Sequence, residues 1–257
     1  MSTDSATRAP KQNWFSRLAH PGAFMGWSRH LVAPLAIVTA LCFAIGLYLG
    51  FFVAPLSTDN VGTTLPILYI HVPNAWLSQF VYGVMAVAAL GTLVWRHPLA
   101  DVAAKAAAPL GATFTALALY TGALWGRPAW GTFWEWDGRM TSTLLLLFIY
   151  LGIIALWRAF DDQLRAARIV AVVTLVGALN IPVIKFSVDW WNTLHQRSTI
   201  LVPGGPRMAS SILTPLLLMV LGFTLLFLVL HIVSMRTEVS RRRVLNLERQ
   251  AAMGAGA

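Results

Sequence analysis

The chain has 257 residues, 57% of them hydrophobic and 11% charged, with a formal net charge of +9 and a mean hydropathy of +0.67. A soluble domain carries about a quarter charged residues, so the composition suits lipid as solvent. The cations sit at the ends of apolar runs, where they orient helices and meet anionic headgroups, which argues against a nucleic-acid partner. A single cysteine, Cys42, excludes an intrachain disulfide and C-x-x-C thiol exchange. The chain carries neither a C-x-x-C-H attachment motif nor a P-loop, so it is not itself a c-type cytochrome or an ATPase of that class.

The first thirty residues are mixed and basic, and the apolar run that follows is longer than the core of a signal peptide; it is expected to remain as a helix. Trp14, Phe15, Leu18, Phe24, Met25 and Trp27 are interleaved with basic residues there. Two readings stay open: a short helix in the membrane interface, or a disordered basic lead. Six apolar runs follow, Leu31–Ala54, Pro73–Trp95, Val102–Leu124, Thr141–Trp157, Ala166–Phe186 and Met208–Met235. Each comes near or exceeds the ~20 residues that a hydrocarbon core of roughly 30 Å requires. The predicted fold class is all-α: an integral membrane bundle of six transmembrane helices with both termini cytoplasmic.

In the first run Gly46 and Gly50 form a G-x-x-x-G that would let a partner helix approach closely. Lys105 and Pro109 weaken the third run, the lysine being expected to snorkel to the interface. Pro182 is expected to kink or end the fifth. The predicted organisation is a cytoplasmic N-terminal segment 1–30, a membrane domain 31–235 containing an external loop 125–139, and a basic cytoplasmic tail 236–257. Cation placement sets the orientation: fourteen of the nineteen Lys and Arg residues fall in the N-terminal segment, the second and fourth connections and the tail, against five on the other side.

The chemistry gathers on that poorer side. "WGRPAWGTFWEWDGR", Trp125–Arg139, holds four tryptophans and four charges. Interfacial tryptophan is ordinarily a headgroup belt, and Trp76, Trp95 and Trp157 fit that role. A belt does not require Trp130, Trp134 and Trp136 to be spaced by Gly131 and interrupted by Glu135 and Asp137. Glycines permit sharp turns and close approach of backbone to a ligand, so the segment reads as a shelf for a flat apolar object. "YIHVPNAW" places His71 just before the second helix and "DWWNTLHQR" places His195 between the fifth and sixth. Two neutral imidazoles can fill both axial positions of a porphyrin iron, whereas a quinone would stack on the shelf without needing them. Arg127 and Arg139 are candidates for the two propionates, because a guanidinium fork matches a carboxylate. The bland reading keeps the histidines as capping groups and Asp137 and Arg139 as a solvated pair.

"WGTFWEWDGR", with "LYIHVPNAW" before it and "VDWWNTLHQ" after, resembles the WWD signature of haem-handling proteins of cytochrome c maturation, and most closely the CcmC family, haem exporter protein C. The resemblance covers roughly residues 31–235. It implies a six-helix bacterial inner-membrane protein that holds haem b at its periplasmic surface and presents it to the membrane-anchored chaperone CcmE. It also implies CcmD and the ABC-type pair CcmA–CcmB as partners. His71 and His195 match the axial ligands, and Trp125, Trp130, Gly131, Trp134, Trp136 and Asp137 match the WWD platform. No catalytic residue is implied, because the chain orients its cargo for attachment to the chaperone. Two rival functions are a b-type electron carrier or quinol oxidoreductase subunit, and a transmembrane transporter. Asn180 beside Pro182 is the one modest polar hint toward transport.

Overall fold

The computed structural model describes residues 20–54, 65–191, 193–195, 199–200 and 202–254. Among these the chain is helical and without strands: α1 (Pro21–Tyr48) continued by a π-helical turn (Leu49–Val53), α2 (Leu65–Leu93), α3 (Ala100–Trp130), α4 (Gly138–Ala159), α5 (Gln163–Gly177), α6 (Asn180–Trp190) and α7 (Ser210–Gly254). They supply six segments long and apolar enough to cross a membrane, with α5 and α6 together forming the fifth. The protein is a multi-pass membrane protein.

α3 is the most buried of the six segments and packs against α2, α4 and α7. Its sequence explains why. Ala104, Ala107, Ala108, Gly111, Ala112 and Ala118 are small and buried, which lets neighbouring backbones approach where no hydrophobic force separates helix from lipid. A Cβ on Gly111 would lie 2.3 Å from the ring of Tyr150, so α4 seats its largest fully buried side chain on that glycine. The Tyr150 hydroxyl then donates to the Ser78 carbonyl of α2 at 2.9 Å, and that of Tyr82 donates to the Thr174 carbonyl of α5 at 3.0 Å. Both bonds satisfy phenols that have no water available.

The break in the fifth span lies at Ala178 and Leu179, ahead of Pro182. A proline ring clashes with the carbonyl four residues back, which here is Ala178. Gly177, the last residue before the break, makes room for Tyr82: a Cβ there would meet its hydroxyl at 2.2 Å. Asn180, just past the break, is buried and donates from Nδ2 to the Ser142 carbonyl at 2.8 Å. The glycine pair of α1 serves two partners within the chain: a Cβ on Gly46 would meet the Met219 sulfur of α7 at 2.9 Å, and one on Gly50 the Tyr69 ring of α2 at 2.7 Å.

The beginnings of α1 and α3 meet the far end of α7. Arg236 donates from Nη1 to the Met25 carbonyl at 2.7 Å and to Ser28 Oγ at 2.8 Å. Glu238 accepts from Lys105 at 3.0 Å, from Arg241 at 2.7 and 2.8 Å and from Arg242 at 2.9 Å, while Arg242 also reaches Asp101 at 2.7 Å. Two expectations change here. Lys105 does not snorkel to headgroups: a carboxylate within reach neutralises it inside the protein, and its ammonium also lies 5.2 Å from the centre of the Trp157 ring. Arg236 and the residues after it are helical rather than irregular; they continue α7 to Gly254, a helix about 67 Å long at 1.5 Å per residue. Phe24, Met25 and Trp27 belong to the first span itself, and Phe24 is buried. Trp14, Phe15 and Leu18 lie outside the described residues.

Candidate functional site

The opposite end of the bundle brings together the start of α2, the last turns of α3, the Gly131–Asp137 connection and the connection after α6. His71 is not ahead of the second helix but inside it, because α2 begins at Leu65, with Pro66 in its first turn where a missing N–H costs nothing. The loop is also shorter than the sequence suggested. Trp125–Trp130 complete α3, and Gly131, at φ 80°, ends it in the left-handed conformation that favours glycine. The Gly131 N–H donates to the Arg127 carbonyl at 2.9 Å, and Arg127 Nη1 donates back to the Gly131 carbonyl at 2.7 Å. With its guanidinium also 5.4 Å from the Phe133 ring centre, Arg127 first of all fixes the turn. Arg139 is half-buried, in the first turn of α4, and feels the carboxylates of Asp137 and Asp189.

The tryptophans divide into two sets. Trp125 and Trp130, on the end of α3, each back one histidine: Trp125 meets the His71 ring edge-to-face with centroids 5.8 Å apart, and Trp130 meets His195 at 4.7 Å. Trp134 and Trp136 pack edge-to-face on each other at 5.4 Å, with Trp136 73% exposed. The indole N–H groups of Trp125 and Trp134 are buried and have no acceptor among the described residues, where each could serve a ligand as a donor. Trp76 stacks on Phe80 at 5.3 Å and Trp95 is 72% exposed, as belt residues would be. Trp157 is a correction: it is buried beside Lys105 and belongs to the core.

Each histidine has its Nδ1 occupied. For His71 the partner is Thr121 Oγ1 at 3.1 Å. That hydroxyl donates its own proton to the Leu117 carbonyl at 2.6 Å, so it accepts from the imidazole, and Nδ1 carries the hydrogen. For His195 the partner is Asp137 Oδ2 at 2.6 Å. Asp137 is 6% exposed and fully engaged: Oδ1 caps α4 by accepting from Met140 N at 2.7 Å, and Oδ2 also accepts from the Thr193 hydroxyl. Thr193 Oγ1 in turn accepts from the His195 backbone N–H at 3.1 Å. Asp137 is thus buried rather than solvated, and it ties the Trp-rich connection to the histidine. Its hydrogen bonds hold the carboxyl below its ordinary range despite burial. Burial pushes the His195 imidazole down, against the pull of Asp137, so it is neutral at neutral pH. In both rings Nε2 keeps a lone pair, the form of imidazole that binds a metal.

The two rings stand on different elements, His71 on α2 and His195 in the connection after α6. The remaining histidines are spent locally. His20 Nδ1 caps α1 through Gly22 N at 3.2 Å, His97 Nδ1 accepts from Leu99 N at 3.2 Å, His30 Nε2 accepts from Arg29 at 3.0 Å, and His231 Nε2 bonds the Ala103 carbonyl at 2.9 Å. Among the described residues no group of three or more His, Cys, Asp and Glu side chains is arranged to hold a bare metal ion. Sequence reading missed Thr121, Thr193 and Gly122. A Cβ on Gly122 would lie 2.9 Å from His71 Cε1, so that glycine is the floor on which the imidazole rests.

The model of the family described as Heme exporter protein C matches residues 14–250. That range is wider than the resemblance read from the sequence, and reaches into the stretch of α7 anchored by Glu238. Heme exporter protein C of Bradyrhizobium diazoefficiens is 57% identical over 249 residues, covering 93% of each chain. The Escherichia coli K12 protein of that name is 45% identical over 215 residues, 83% of this chain and 84% of its own. The Rhodobacter capsulatus protein is 40% identical over 236 residues, 91% and 97% of the two chains.

Proposed function

The chain belongs to the Heme exporter protein C family, and on that premise we propose that it holds haem b through Nε2 of His71 and Nε2 of His195 and passes it to the chaperone CcmE. The site lies at the periplasmic face of a bacterial inner membrane, with the basic end of the bundle in the cytoplasm. CcmD and the pair CcmA–CcmB are its partners. The single observation that carries this reading is the matched pair of pinned imidazoles, each with Nδ1 occupied and Nε2 left with its lone pair, each against a tryptophan at the end of α3.

The residues divide the work. Trp125 and Trp130 back the imidazoles, Trp134 and Trp136 supply apolar surface to the disc, and Gly131 turns the chain so that both sets reach it. The unpaired indole N–H groups of Trp125 and Trp134, with Arg139 and the remaining N–H groups of Arg127, are donors for the propionates. The chain contributes orientation, holding the cargo so that the chaperone's own nucleophile meets a reachable vinyl group. The broken fifth span is the one feature that suits a transporter, but Asn180 spends its amide on the Ser142 carbonyl and so helps seal the break.

The test is covalent haem acquisition by the chaperone in cells carrying single variants. His71→Ala and His195→Ala should each abolish haem-stained chaperone while the variant protein stays in the membrane at normal abundance. Normal loading by both variants would remove the axial assignment.

A further inference from the structure

The two imidazoles are pinned by partners of different strength. His195 Nδ1 faces a carboxylate at 2.6 Å, and that carboxylate cannot turn away, because Oδ1 is committed to the first turn of α4 and Oδ2 is also held by Thr193. His71 Nδ1 faces a neutral hydroxyl at 3.1 Å whose proton is already given to Leu117. A hydrogen bond from Nδ1–H to a carboxylate shifts electron density onto the ring and strengthens Nε2 as a donor to metal; a hydroxyl does so far less. Backbone regularity argues the other way, since His71 sits in a helix and His195 in a connection. The connection is nevertheless anchored through Asp137, which accepts from both the Thr193 hydroxyl and His195 Nδ1 and is itself held by the first turn of α4.

We propose that the two ligands are unequal by construction: His195, with Asp137 as its positioning residue, is the anchor that keeps haem on the protein, and His71 is the ligand that lets go first when the chaperone takes over. This rests on the axial assignment above. The step is a ligand exchange. The iron–Nε2 bond of His71 breaks with its electron pair returning to the imidazole, Nδ1–H keeps its hydrogen bond to Thr121 Oγ1, and a Lewis base of the chaperone donates its own pair into the vacated position. No proton moves and the iron keeps its oxidation state. One weak axial bond lets transfer begin without the cargo ever being free.

The experiment uses the haem-loaded full chain in detergent and reads the rate of haem loss to a scavenging apoprotein, the absorption spectrum and the midpoint potential. His195→Ala should lose haem at least about 10-fold faster than His71→Ala, and added imidazole should restore the low-spin spectrum of His71→Ala on protein-held haem. Asp137→Asn is the second variant, because asparagine still caps a helix through its side-chain oxygen while losing the charge. It should speed haem loss about 10-fold or more and raise the midpoint potential, which loss of a helix cap would not do. Equal loss rates for the two histidine variants, faster loss from His71→Ala, or an unchanged potential in Asp137→Asn would each overturn the inequality. A wild-type spectrum that is not low-spin bis-imidazole would overturn the axial assignment itself, so the two failures are distinguishable.

Discussion

Gly122→Ala probes the site without touching a ligand. The new Cβ would sit 2.9 Å from His71 Cε1 and 3.5 Å from Nδ1. Ordinary contact begins near 3.4 Å, so the ring must give way by about 0.5 Å, and a ligand constellation tolerates about 0.5 Å before binding suffers. The imidazole has little freedom to do so, being bonded to Thr121 on one side and packed on Trp125 on the other. Overpacking costs about 1–3 kcal/mol, whereas alanine is favoured over glycine within a helix by about 1 kcal/mol. The net loss of stability should therefore be only about 1 kcal/mol. Haem binding should nonetheless weaken about tenfold, because a displaced Nε2 loses its share of the iron bond. Haem titration of the purified protein, alongside thermal unfolding in detergent, separates the two effects. Gly152→Ala is the control: its Cβ would meet nothing within 4 Å, and both affinity and stability should be unchanged or slightly improved. Wild-type haem affinity in Gly122→Ala, at normal stability, would refute the claim that His71 is held in a fixed position for iron.

Gly111→Ala should act on the fold alone: its Cβ would stand 2.3 Å from the buried Tyr150 ring, and a loss of about 3 kcal/mol should appear as a lower unfolding midpoint and reduced membrane abundance. Glu238→Ala leaves Lys105 and Arg241 without a carboxylate while Arg242 keeps Asp101, at a cost of about 1 kcal/mol because these cations are partly exposed. Limited trypsin digestion should then cut at Arg241–Arg243 in the variant well before it does in wild type. Trp134→Ala should weaken haem retention while Trp95→Ala, which removes a ring that is 72% exposed, leaves it unchanged; equal losses would return the loop to a belt role.

Much of this was legible in the sequence because lipid imposes a simple rule. Six apolar runs had to be helices, and the scarcity of cations around "WGRPAWGTFWEWDGR" marked the end where unusual chemistry could sit. What escaped was tertiary. His71 read as lying outside its helix because Pro73 looks like a beginning, yet a proline inside a membrane helix forfeits only one bond while Pro66 occupies the real first turn. Thr121 and Gly122 face His71 across 50 positions of sequence, and a lone threonine beside a glycine in an apolar run carries no local signal. Asp137 was visible as a motif member, but its task needed coordinates: only they show one carboxylate closing a helix with one oxygen and orienting an imidazole with the other. The basic stretch read as a tail because Glu238, the acid that gathers Lys105, Arg241 and Arg242, is a single residue among arginines.

The central claim is that one iron is shared by Nε2 of His71 and Nε2 of His195. A structure of the haem-loaded protein in a lipid nanodisc tests it directly, and should show the iron bonded to both nitrogens, with the porphyrin edge against Trp134 and Trp136 and the Asp137–His195 hydrogen bond retained. Haem held by any other pair of side chains, or by only one of these two imidazoles in the resting complex, would contradict it.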